Sequence, residues 1–71
     1  MKLNDYRIKK GWSYTKLAEM VGVSHATVCR RWCLGYKHPQ GKIPAPKYME
    51  TILKLTNSEV QPNDFYQDEI N

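Results

Sequence analysis

Residues 13 to 35, SYTKLAEMVGVSHATVCRRWCLG, decide how this chain is read. Ser13 is suited to cap a helix, and Leu17, Ala18 and Val21 then recur at i, i+1 and i+4 on one helical face. Gly22 supplies the left-handed backbone that stops a helix, Val23 follows as an apolar plug, and Ser24 offers a second cap. A second helix is expected from about His25 to Leu34, with Val28 and Trp32 one turn apart and facing inward and Gly35 ending it. Ala18 is small enough to sit where the two helices cross closely. Two short helices joined by a glycine turn, the second carrying Arg30 and Arg31, have the layout of a helix-turn-helix.

Working outward, residues 2 to 10 form a first helix that buries Leu3 and Tyr6 and ends at Gly11. Residues 36 to 44, YKHPQGKIP, hold two prolines, a glycine and two lysines and read as a surface loop. Pro46 fits the first turn of a fourth helix, whose apolar stripe is Tyr48, Met49, Ile52, Leu53 and Leu55, running to about Thr56. Asn57 and Ser58 turn the chain, and Val60 with PNDFY at 62 to 66 supplies one more apolar group. We expect Phe65 to fold back onto the bundle. The expected fold is all-α, a compact bundle of four to five helices in a single domain over residues 1–66, with residues 67–71 as a flexible acidic tail.

The central stretch resembles the Cro/CI family of phage repressors and the helix-turn-helix regulators related to them. Ala18, Gly22, Val23, Ser24, Val28 and Gly35 stand at that family's spacing, and Leu3, Tyr6, Arg7, Gly11, Trp12 and Ser13 look like its first helix. More loosely, Tyr48, Ile52, Val60 and PNDFY look like the C-terminal part of small Cro-like and antitoxin-type regulators. One departure is Arg31, which stands where the family places a second buried apolar residue. Either Trp32 fills that space while Arg31 reaches out beside it, or the register of the helix is shifted. The resemblance implies a lambda-repressor-like DNA-binding domain and a transcriptional regulator, most simply a repressor, that reads a palindromic double-stranded operator through the major groove. It places base contacts at His25, Ala26, Cys29 and Arg30.

The charge distribution agrees with such a partner. Residues 1 to 47 carry ten Lys and Arg against Asp5 and Glu19, a net +8, whereas residues 48 to 71 carry Lys54 against Glu50, Glu59, Asp64, Asp68 and Glu69, a net −4. The basic portion contains the paired helices, and neutralising phosphates supplies most non-specific affinity for nucleic acid. Arg30 has the planar fork that matches guanine O6 and N7, Ala26 can touch a thymine methyl, and His25 can donate to a guanine or a phosphate. Phosphate contacts are expected from Ser13, Tyr14, Thr15, Lys16 and Thr27 around the helix starts, and from Tyr36, Lys37 and Lys42 in the following loop. A two-fold operator calls for a homodimer, weak in free solution, or for two monomers that meet on DNA.

Other functions fit less well. At 71 residues a chain buries only about 60% of its unfolded surface, leaving little room for a catalytic cavity, and no histidine has a nucleophile or acid beside it. No enzyme activity, cofactor or small-molecule ligand is expected. His25, Cys29 and Cys33 form an i, i+4, i+8 series with His38 nearby, yet three ligands on one straight helix do not enclose a metal, so no metal site is assigned. The two cysteines, four apart on one helix, read as free thiols. With no apolar run approaching the roughly 20 residues of a membrane span and no charged-then-apolar leader, a cytoplasmic location is expected. Trp12 and Trp32 read as core anchors, and Arg7 as a partner for the Trp32 ring. An antitoxin-type autoregulator and a helical protein-interaction adaptor remain the alternatives.

Overall fold

The computed structural model describes residues 1–66; the acidic tail expected at 67–71 lies outside the described residues. Helix α1 spans Leu3–Lys10, α2 Tyr14–Val21, α3 Ala26–Cys33 and α4 Pro46–Leu55, followed by a short 3₁₀ segment at Pro62–Tyr66. No strand occurs among the described residues.

Local chemistry sets most of these boundaries. Ser13 caps α2 by accepting from the Lys16 N–H at 3.0 Å, and α2 stops at Gly22, whose φ of 91° is the left-handed conformation expected of it. Pro46 occupies the first turn of α4, where a missing N–H costs nothing. At the other end of α4 the buried Thr56 hydroxyl donates to the Ile52 carbonyl at 2.8 Å and accepts from the Val60 N–H at 3.1 Å. Asn57 and Ser58 then reverse the chain with positive φ values of 53° and 69°. One side chain thus ties the helix end to the returning segment.

The ten buried apolar residues, Leu3, Tyr6, Leu17, Ala18, Val21, Cys29, Trp32, Ile52, Val60 and Phe65, form one cluster. Helix α2 lies at its centre, packing chiefly on α3 and also on α4. Phe65 and Val60 return into this same core, as expected. Outside it, the returning segment is held to α1: the Met1 ammonium pairs with Asp64 at 3.0 Å, and Lys9 pairs with Glu59. Trp12 packs partly buried with its ring edge-on to Tyr6, and Trp32 lies tilted on Tyr48 at 5.6 Å.

Helix α3 is turned relative to the sequence expectation. It begins at Ala26, not His25, and its N-cap is His25, with no side-chain cap bond, where Ser24 was expected to cap. Cys29 is fully buried and Trp32 nearly so, while Val28, expected inside, is 37% exposed. The reason lies in Arg31. A stripe through Val28 and Trp32 carries Arg31 to the edge of the core, and burying an unpaired guanidinium costs far more than burying a thiol. The stripe Cys29, Trp32, Cys33, at i, i+3 and i+4, puts small or aromatic groups inside and leaves Arg31 in water.

Arg7 also differs. With Trp32 buried against Tyr48, Arg7 instead stacks over Tyr14 at 4.2 Å, donates to Asn4 Oδ1 at 2.9 and 3.0 Å, and donates to the Trp12 carbonyl at 2.9 Å. It is a clamp on the α1–α2 connection.

Candidate nucleic-acid interface

The rotation of α3 determines which side chains it offers. Thr27, Val28, Arg30 and Arg31 are exposed, His25 is exposed at the N-cap, and Ala26 is half-buried. Cys29, placed among the base contacts by resemblance, is inside the core and has no surface to offer. Burial also raises its thiol to about 11. Cys33, one turn further along α3, is half-buried; burial raises it to about 11 too, with the Arg7 guanidinium pulling the other way. Both are therefore protonated near neutral pH, and neither is an activated nucleophile. Among the described residues no three His, Cys, Asp or Glu side chains gather as metal ligands would.

Other residues expected to meet phosphate lie on α2 and in the loop after α3. Ser13, Thr15 and Lys16 are exposed at the start of α2, while Tyr14 is half-buried beneath Arg7. Tyr36, Lys37 and Lys42 are exposed in the loop after α3. Tyr36 leans on Tyr66 at 5.9 Å, which fixes the start of that loop against the 3₁₀ segment.

The loop itself is tightly folded. The His38 N–H donates to the Gly35 carbonyl at 3.1 Å, the Gly41 N–H to the His38 carbonyl at 2.9 Å, and the Lys42 N–H to the Arg31 carbonyl at 3.1 Å. At Gly41 a Cβ would come within 2.0 Å of the Gly35 oxygen, so only glycine allows this closure. Beside it, Val28, Trp32, Ile43 and Tyr48 floor an open groove of about 300 Å³ with Arg31 and Lys42 at its rim.

Among the described residues Asp64, Glu59 and Glu50 pair with the Met1 ammonium, Lys9 and Lys54, while Asp5 and Glu19 are exposed, Glu19 about one turn from Lys16 on α2. No carboxylate there pairs with Lys16, Arg30, Arg31 or Lys42. Cations with no carboxylate paired to them produce a positive field that extends about one Debye length into solvent.

The exposure of Arg31 stood in the sequence as one of two alternatives, while the exposure of Val28 and the place of Gln40, a neighbour of Arg30 outside the binding face, were missed. Arg31 carried a signal, because a charged residue at a position expected to be buried argues for rotating the helix. Val28 follows from the same argument. Gln40 carried none, since its place beside Arg30 comes from loop closure.

Comparisons with protein-family models, curated proteins and solved structures found no match to the chain. Among the described residues no helix is long and apolar enough to cross a membrane.

Proposed function

We propose that this chain is a sequence-specific double-stranded DNA-binding regulator of Cro-like type, in which α2 and α3 act as a helix-turn-helix and α3 enters the major groove. The observation that carries the reading is the exposed face of α3: Thr27, Arg30 and Arg31 lie at i, i+3 and i+4, the Lys42 N–H is joined to the Arg31 carbonyl, and no carboxylate among the described residues pairs with either arginine. Arg30 reads a guanine with its two-donor edge, and His25, Ala26 and Thr27 lie at the end of the helix that meets the bases first. Lys16, Lys37 and Lys42 grip phosphates to either side, and Arg31, freed by the rotation of α3, joins them. The regulator binds as two protomers on a two-fold operator and acts by excluding polymerase.

Salt dependence of binding to a short duplex tests this against a protein-docking role. Four phosphate-neutralising cations per protomer, two protomers and about 0.9 counterions per contact give a slope of log K against log salt of about −7. A neutral docking surface would give a slope near zero.

A further inference from the structure

Arg30 is exposed, and a free arginine on a helix surface samples many rotamers before it meets a base. Here it is not left alone. Its Nη1 donates to Gln40 Oε1 at 3.4 Å, across ten residues of sequence. Gln40 is in turn held by its own backbone, whose N–H donates to His38 Nδ1 at 3.0 Å. His38 is fixed at both peptide groups, to the Gly35 carbonyl on one side and from the Gly41 N–H on the other. The Lys42 N–H closes the loop onto the last turn of α3 through the Arg31 carbonyl. The chain from α3 out to Gln40 and back to α3 is therefore closed by hydrogen bonds, of which the Arg30–Gln40 contact at 3.4 Å is the longest.

We propose that Gln40 is a positioning residue for Arg30, held by the closed 35–42 loop so that the guanidinium is oriented before it reaches DNA. The inference rests on the DNA-binding reading above. Its chemistry is specific. An acceptor on Nη1 leaves Nε and Nη2 as a parallel pair of donors, the edge that matches guanine O6 and N7. The carboxamide is neutral, so it orients Arg30 without cancelling the charge that attracts phosphate. Gly41 sets the geometry: its missing side chain lets the loop approach the Gly35 oxygen, and a Cβ would meet backbone atoms at 2.0, 3.0 and 3.3 Å. Sequence specificity at one base pair thus depends on a loop residue that need not touch the base.

The test measures discrimination, the ratio of affinities for the preferred duplex selected from a random pool and for the same duplex with the guanine of the Arg30 contact replaced. Pre-ordering one long side chain is worth a factor of roughly 2 to 12, so Gln40→Ala should reduce the ratio by about that much while leaving affinity for random duplex and the salt slope unchanged. Gly41→Ala, which alters neither side chain, should reduce it in the same direction, with helicity and melting measured to show the bundle intact. Gln40→Glu keeps an acceptor for Arg30 and should retain the ratio while weakening binding to all sequences, because it adds a negative charge. In an Arg30→Ala background, Gln40→Ala should have no further effect. An unchanged ratio in Gln40→Ala overturns the proposal, as does Gln40→Glu behaving like Gln40→Ala. A further loss in the Arg30→Ala background also overturns it, since Gln40 would then read a base itself. A wild-type chain that selects no duplex overturns the parent reading and this one with it, and is seen before any variant is made.

Discussion

Placing one aspartate at either of two neighbouring positions tests the rotation of α3. Cys29→Asp sets a carboxylate at a site with no exposure, whereas Val28→Asp sets one at a site 37% open to water. An uncompensated buried charge costs about 3–5 kcal/mol. A domain of 71 residues has a stability of roughly 4–11 kcal/mol at 0.05–0.15 kcal/mol per residue, so Cys29→Asp removes a third of it or all of it. At Val28 the lost apolar contact is offset by a favourable negative charge in the first turn of the helix, worth about 0.3–1 kcal/mol, and the net change stays within about 1 kcal/mol. With a shift of roughly 4–8 °C per kcal/mol for a domain this size, thermal melts followed by circular dichroism should separate the variants by about 8 °C or more, or show Cys29→Asp unfolded at the outset. Thiol labelling of the unaltered chain adds an independent check, because Cys29 should react only as fast as the domain opens while the half-buried Cys33 reacts sooner. If Val28→Asp is the more damaging change, the helix is turned the other way and Cys29 returns to the surface.

Arg30→Ala should lower affinity for the preferred duplex by about 1–3 kcal/mol and relax preference at one base pair per half-site; equal loss on random DNA would make Arg30 a phosphate contact. Phe65→Ala removes an aromatic ring from the common core and should cost about 3–5 kcal/mol, with a melting temperature independent of protein concentration; a melt that shifts on dilution would place Phe65 in an interface between copies. Acid should loosen the returning segment. Glu59 titrates below the usual carboxylate range because Lys9 donates to it, and Asp64 does so because the Gln61 N–H and the Met1 ammonium outweigh its burial. Depressed carboxylates stabilise the fold above their ordinary range and lose that contribution as pH falls through their folded values, so the double variant Glu59→Gln, Asp64→Asn should lose less stability between neutral and strongly acid pH than the unaltered chain. Parallel curves would detach both groups from folding.

Capping and glycine chemistry made α2 legible from sequence. Ser13, the Leu17, Ala18, Val21 face and the left-handed Gly22 each act through their immediate neighbours, as do Pro46 and the Ile52 stripe of α4. The return of Phe65 was legible because a bundle this small has few other places for an aromatic ring. The rotation of α3 was not, because a period near 3.6 admits both the 28, 32 stripe and the 29, 32, 33 stripe, and the choice turns on the cost of burying Arg31. Contacts across the fold were beyond local pattern altogether. Arg7 found Tyr14 because Trp32 was already enclosed, and Gln40 reached Arg30 because Gly41 lets the loop close. For the candidate site, the excess of basic residues over 1–47 was legible in sequence and the exposure of Arg31 stood there as one of two alternatives; the choice between them and the place of Gln40 required the fold.

Selection of bound sequences from a random duplex pool tests the central claim most directly. Two protomers reading a two-fold operator should enrich a palindromic consensus whose half-sites lie about one helical turn, roughly 10 bp, apart, with a guanine in each half at the position that Arg30→Ala relaxes. A pool that returns unenriched, at salt low enough for the basic face to hold DNA, would contradict it.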